Sequence, residues 1–208
     1  MKKKFFHQQF LYEFNFNDSV LKSIEEYSVK VNWGECRKRS GFNKFEGGQY
    51  HYGRKYSLKN EPSLIEFHKS LEECIFEVKQ DIKQFRDSIS QLLVSQSWLN
   101  RSSKGNVHFN HSHPLSILSG ILYLTEPAYT IFTFDSIYKN QYLFPNKDFK
   151  EKHCHSGKKG TLILFPSNLS HYVGPHLDDQ PRITLSFNTW FKGSIGDKSK
   201  AAYIPEEF

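Results

Sequence analysis

The stretch Asn110-His111-Ser112-His113-Pro114, followed at once by Leu118-Ser119-Gly120-Ile121-Leu122-Tyr123-Leu124, decides how this chain is read. Its counterpart downstream is Ser170-His171-Tyr172-Val173, which leads into Arg182-Ile183-Thr184-Leu185-Ser186-Phe187-Asn188. On a strand, residues i and i+2 share a face, so His111 and His113 are expected side by side. A third imidazole, His171, arriving from another strand would close a three-ligand face on a metal and leave the opposite positions open. Neutral imidazole suits iron, zinc, copper or nickel, so the three name a transition metal without naming which.

Around these stretches the texture is that of short strands with polar breaks, near 92–99, 105–111, 116–125, 129–135, 160–166, 170–174 and 182–191. Strands with no helical period among them predict a closed or double-sheet β architecture. Upstream, Phe10, Tyr12, Phe14 and Phe16 alternate, which predicts one half-buried strand over 5–16. Asn17-Asp18-Ser19 offers a helix N-cap, and Val20, Leu21, Ile24 and Tyr27 follow at helical spacing. A second helix is expected to open at Pro62-Ser63, with Ser63 and Glu66 at capping-box spacing. From Leu64 through Phe67, Leu71, Ile75, Val78, Ile82 and Phe85 to Ile89, apolar residues recur every three or four positions, which reads as one long amphipathic helix lying on a sheet. Gly47–Gly53 reads as a mobile segment, and the polar excursion 137–159 as a lid or a disordered loop.

A chain of 208 residues buries one substantial core. We therefore read a single domain: flanking strand, helices and mobile loop over 1–90, a β core over 91–192 and a tail over 193–208. No run approaches the length of a membrane-spanning helix, and the basic start lacks an apolar signal region. Cys36, Cys74 and Cys154 are too few and too scattered for a disulfide framework, so a reducing, cytoplasmic setting is expected. His153-Cys154-His155 reads as an exposed loop with incidental ligand types. The net charge of +6 favours acidic partners, but the lysines and arginines are spread along the chain, and nucleic acid is not the favoured partner.

His111-x-His113, a distal His171 and Arg182 resemble the Fe(II)- and 2-oxoglutarate-dependent oxygenases. The chain is most similar to a putative-oxygenase subfamily, several of whose members are phage-encoded. That subfamily is marked by W-x-N, H-x-H-P, L-S-G-x-x-Y, G-x-L-x-x-F-P-S-x-x-x-H and R-I-x-x-S-F-N, here Trp98–Asn100, His111–Pro114, Leu118–Tyr123, Gly160–His171 and Arg182–Asn188. The resemblance implies a double-stranded β-helix of the jelly-roll, cupin-like type, with the two N-terminal helices packed on one sheet. It implies Fe(II) on His111, His113 and His171, with O2 and 2-oxoglutarate as cosubstrates. Arg182 would hold the distal carboxylate, as a guanidinium fork can. Tyr123 and Thr184 would donate to the same carboxylate, with Asn100 and Trp98 lining the cavity. The activity implied is hydroxylation of a peptidyl side chain or small molecule, coupled to decarboxylation of 2-oxoglutarate to succinate.

The superfamily's usual triad has a carboxylate where His113 stands. Asp135 is a candidate substitute, and a strand-end turn residue on the plainer reading. A cupin, with a metal but no need of 2-oxoglutarate, is the nearest rival. Gly105 ahead of the His-x-His pair fits its first motif, yet positions 114–122 lack its glutamate. A basic β-sandwich that only binds a partner is the non-enzymatic alternative. It predicts affinity that falls with salt and ignores chelators.

Overall fold

The computed structural model describes residues 1–6, 9–34, 48–134, 152–196 and 203–204. Two strands, β1 (Lys2–Phe6) and β2 (Gln9–Asn15), form a hairpin where one strand was expected. Helix α1 (Asp18–Lys30) begins where Asn17 accepts the Val20 amide on its side chain, as the cap residues predicted.

The long second helix is three pieces. A 3-10 turn, Pro62–Leu64, precedes α2 (Ile65–Asp81), and α3 (Lys83–Ser88) follows it. Ser63 lies inside the 3-10 turn and caps nothing, because the α-helix proper starts after Leu64, a residue with no side-chain cap. Ile82, with φ −86° and ψ 105°, breaks the run, and Ile89 already belongs to a strand. Buried side chains at Phe67, Leu71, Ile75 and Val78 seat α2 on the sheet.

The β core continues with β3 (Gln49–His51), β4 (Ile89–Ser102), β5 (His108–His111), β6 (Leu118–Tyr123), β7 (Ala128–Thr133), β8 (Lys152–Gly157), β9 (Thr161–Pro166), β10 (His171–Val173), β11 (Arg182–Gly196) and β12 (Tyr203–Ile204). They form two sheets. The larger runs β1-β2-β9-β6-β11-β4-β3 with β12 on β11, and the smaller runs β5-β10-β7-β8. All pairings are antiparallel, and the arrangement is the expected jelly roll with helices on one side.

Two of the expected loops are strands. Residues 49–51 pair with β4, so this part of Gly47–Gly53 is sheet edge. Residues 152–157 pair with β7 along their whole length, so this part of the 137–159 excursion is sheet as well. Gly47 and residues 137–151, with Asp135 and Cys36, lie outside the described residues.

Alternation sorts the side chains of the large sheet into two layers. One face meets α1 and α2 through Leu21, Ile24, Phe67, Leu71, Val94, Leu99, Leu122, Leu162, Leu185 and Phe187. The other face meets the small sheet through Leu11, Ile121, Tyr123, Ala128, Phe132, Ile163, Phe165 and Leu169. This second, smaller cluster is apolar toward β2 and β9 and turns polar across β6, β11 and β4. Tyr123, Thr184, Asn100 and Tyr50 are successive cross-strand partners there. The helix-backed sheet is therefore a rigid floor for whatever the polar side of the inter-sheet space holds.

Candidate metal centre and anion pocket

His111 and His171 are direct cross-strand partners on β5 and β10, with ring centroids 4.4 Å apart. His113 reaches them by a different route from the one expected. Strand β5 ends at His111, so the i, i+2 rule does not apply. Instead the His113 amide donates to the Ser167 carbonyl at 2.8 Å, fixing the loop that follows β5 against the end of β9. The three rings offer ligand atoms that all lie within 4.8 Å of one another.

Which nitrogens face inward follows from the partners of the others. Nδ1 of His111 lies 2.7 Å from the Phe109 carbonyl oxygen, and Nδ1 of His171 lies 3.0 Å from that of Leu169. Nδ1 of His113 lies 2.6 Å from Oδ1 of Asn188 on β11. A carbonyl oxygen only accepts, so each Nδ1 carries the proton and each Nε2 keeps a lone pair. Nε2 of His113 is buried and has no hydrogen-bond partner, an unsatisfied position that a metal ion would fill. Burial pushes the pKa of His171 down to about 3 and holds His113 below its ordinary range, so both rings are the neutral, ligating form at physiological pH. The donor set fits a transition-metal ion.

The wall beside the triad is aromatic and hydrogen-bonded. Trp98 stacks on His113 at 5.9 Å and 21°, and Tyr52 stacks on Trp98 at 6.1 Å. The Trp98 indole N–H donates to Asn100 Oδ1 at 2.9 Å. Asn100 in turn donates to Thr184 Oγ1 at 3.2 Å and Ser186 Oγ at 2.8 Å. Thr184 accepts in that bond, which leaves its own hydroxyl proton for another acceptor.

Deeper in lies Arg182, at the start of β11 and only 3% exposed. It donates to the Tyr129 carbonyl at 3.0 Å, while its Nε has no partner. Its guanidinium lies 5.7 Å from the Tyr123 ring centroid and 5.9 Å from that of Tyr129. Among the described residues it makes no ion pair with a carboxylate. A buried, uncompensated cation is costly, so the position asks for an anion. Its field also shows nearby: burial first, then the Arg182 charge, lowers the pKa of His108 to about 4. His108 is thereby a neutral partner of Ser102, at 3.0 Å.

The structure thus brings together every residue singled out for the site, namely His111, His113, His171, Arg182, Tyr123, Thr184, Asn100 and Trp98. It adds three that sequence reasoning missed: Asn188, His155 and Glu13. Asn188 closes the R-I-x-x-S-F-N stretch, a position to which the sequence alone assigns no role. His155 had been placed in an exposed loop, yet it is 1% exposed on β8 and reaches Glu13 of β2 at 3.1 Å. Cys154 beside it is exposed, as expected. Strand alternation within Lys152–Gly157 was the available signal, hidden because the inward residues are imidazoles.

Residues 96–188 match the family model described as "Putative 2OG-Fe(II) oxygenase", a span that holds the triad, Arg182 and Asn188. No curated protein matches the chain in sequence. The fold is similar to that of HygX from Streptomyces hygroscopicus with nickel and 2-oxoglutarate bound, with TM-score 0.59 at 12% identity over 86% of this chain and 82% of that one. A Pseudomonas putida prolyl-4-hydroxylase gives TM-score 0.57 at 12% identity, covering 87% and 91%. A prolyl hydroxylase from Trichoplax adhaerens, solved with a peptide fragment of the hypoxia inducible factor oxygen degradation domain, gives 0.56 at 13% identity, covering 87% and 82%.

Proposed function

We propose that this chain is a 2OG-Fe(II) oxygenase that binds Fe(II) through Nε2 of His111, His113 and His171 and anchors 2-oxoglutarate on Arg182, a reading supported by the family match over residues 96–188 and by the convergent triad. Iron at that triad would supply the oxygen chemistry, coupling decarboxylation of 2-oxoglutarate to succinate and CO2 with insertion of the other oxygen atom into a substrate C–H bond.

The protein's own part is to bind and orient. Arg182 offers a planar donor fork to the distal carboxylate of the cosubstrate, and the free Thr184 proton and the Tyr123 hydroxyl are within the same polar row. Asn100 holds Thr184 and Trp98 in place from one amide. Three neutral imidazoles carry no charge to offset a divalent ion, so the cosubstrate's proximal carboxylate would supply the negative charge that a carboxylate side chain otherwise provides. The observation that carries the reading is the buried guanidinium without an ion-pair partner among the described residues, set in the same inter-sheet space as three convergent Nε2 atoms.

The substrate we expect is a peptidyl side chain or a small molecule, taken at the open side of the triad where Trp98 and Tyr52 stand. The setting we expect is the reducing cytoplasm, in keeping with the free Cys74 and Cys154. No described helix is long and apolar enough to cross a membrane.

Purified protein supplied with Fe(II), O2 and 2-oxoglutarate should release succinate, and a responsive substrate should gain one oxygen in mass. Arg182→Lys keeps the charge but loses the fork. It should weaken 2-oxoglutarate by about tenfold or more while metal affinity stays within about twofold. Metal binding without any 2-oxoglutarate binding or succinate would instead support the cupin reading.

A further inference from the structure

The cosubstrate reading leaves unused a buried polar chain on the far side of Tyr123. Glu13 projects from β2 into the inter-sheet layer, where its strand partner is Ile163 and the next residue across is Ile121. Its Oε2 lies 3.1 Å from Nε2 of His155, whose side chain is fully enclosed. Nδ1 of His155 stands 3.4 Å from the Tyr123 hydroxyl, and the two rings are stacked at 6.0 Å and 8°. The Tyr123 hydroxyl also lies 2.8 Å from Thr130 Oγ1. The Arg182 guanidinium stands 5.7 Å from the centroid of the same ring.

A carboxylate and an imidazole between isoleucines and phenylalanines are expensive compared with apolar residues of the same size, and a buried pair of this kind is weak evidence for a stabilising role. The geometry gives them something else to do. A carboxylate only accepts, so Nε2 of His155 carries a proton and Nδ1 is left facing Tyr123. A phenol has one proton. While it donates to Thr130, it can donate to nothing beside Arg182. With Nε2 of His155 committed to Glu13, the ring is fixed in orientation, and its Nδ1 edge and Thr130 together set where the phenol oxygen stands beside Arg182. The charges on either side act on Tyr123 in opposite senses: Arg182 favours the ionised phenol, Glu13 the neutral donor, and burial outweighs both in keeping the proton on.

We infer that Glu13 and His155 are positioning residues that aim the Tyr123 hydroxyl at the distal carboxylate of the bound cosubstrate. This rests on the assignment of Arg182 as the cosubstrate anchor. The test is equilibrium binding on nickel-loaded protein, where no turnover intervenes. Two ligands are compared: 2-oxoglutarate, and 2-oxopentanoate, which has a methyl group in place of the distal carboxylate. In His155→Gln and Glu13→Gln, 2-oxoglutarate should bind about tenfold more weakly, the cost of about one charge-assisted hydrogen bond. Binding of 2-oxopentanoate, nickel affinity and the ligand-free melting temperature should hardly change. Glu13→Gln keeps a hydrogen-bonding side chain of the same shape at the more open end of the chain, and decides the matter if His155→Gln does not fold. Equal weakening of both keto acids, or no weakening of either while Arg182→Lys still loses 2-oxoglutarate, overturns the positioning role and leaves the anchor standing. If Arg182→Lys also binds 2-oxoglutarate normally, the anchor itself is wrong.

Discussion

Asn188 does for His113 what two backbone carbonyls do for His111 and His171: it takes the Nδ1 proton and turns Nε2 toward the centre. The same Oδ1 accepts from Ser119 Oγ at 2.9 Å, which fixes the amide's orientation. An acceptor supplied by a side chain can be removed without touching the backbone. Asn188→Leu should therefore weaken metal binding by about 10- to 100-fold, read by competition with a chromogenic chelator, with the fold intact by circular dichroism. Asn188→Asp keeps an acceptor and should bind within a few-fold of the parent. If Leu and Asp both match the parent, the amide orients nothing. The triad was legible because three histidines in motif order are unusual, whereas an asparagine is common anywhere on a sheet. The reason given for His113 did not survive, since a loop hydrogen bond, and not strand alternation, brings it in. Arg182 was legible by the cost of placing a cation on an apolar strand.

At the scale of the element, β6 is the tightest part of the core, with all six residues of Leu118–Tyr123 buried. Gly120 pairs with Phe187 of β11, and a methyl at Gly120 would run into that ring. Phe187 is 0% exposed and held between the helices and the sheet, so it has little room to yield. Gly120→Ala should destabilise the protein by about 1–3 kcal/mol, the usual range for overpacking, seen as a lower urea midpoint with an unchanged m-value. A neutral result would mean the ring has space to move. Apolar strands such as β6, β9 and β11 were legible from composition. Strand β8 was not, because the inward positions of Lys152–Gly157 carry His153 and His155 where a core strand would carry valine or isoleucine. The helix break at Ile82 was equally hidden: the apolar period runs through it, and only the backbone turn to ψ 105° shows where the chain stops being helical.

For the molecule as a whole, the site and the core share one consequence, a set of histidines folded in their neutral form. His68 of α2 is only 6% exposed. Burial, with the Lys59 charge behind it, lowers its pKa to about 4, and His108 is lowered to the same value. Above an unfolded pKa of about 6.5 these rings are neutral in both states and contribute nothing. Between that value and about 4 the unfolded chain takes up protons that the folded chain refuses, so stability falls as pH falls. Below about 4 the folded rings protonate too, and this loss stops growing. Asp81, held low first by its bond from Lys3, acts further down: its contribution is present above the ordinary carboxylate range and is lost only in stronger acid. The window from pH 6.5 to 4 is thus a histidine window, and His68 alone is worth on the order of 3 kcal/mol across it. Metal-free protein should show urea midpoints that fall through this range, and His68→Leu should flatten the slope by up to about 1.4 kcal/mol per pH unit. Loading with metal should protect the parent further, because an ion on the triad competes with protons for the same nitrogens. A slope that His68→Leu leaves unchanged would show that the acid sensitivity lies elsewhere, and would remove His68 from the account of why this fold prefers neutral pH.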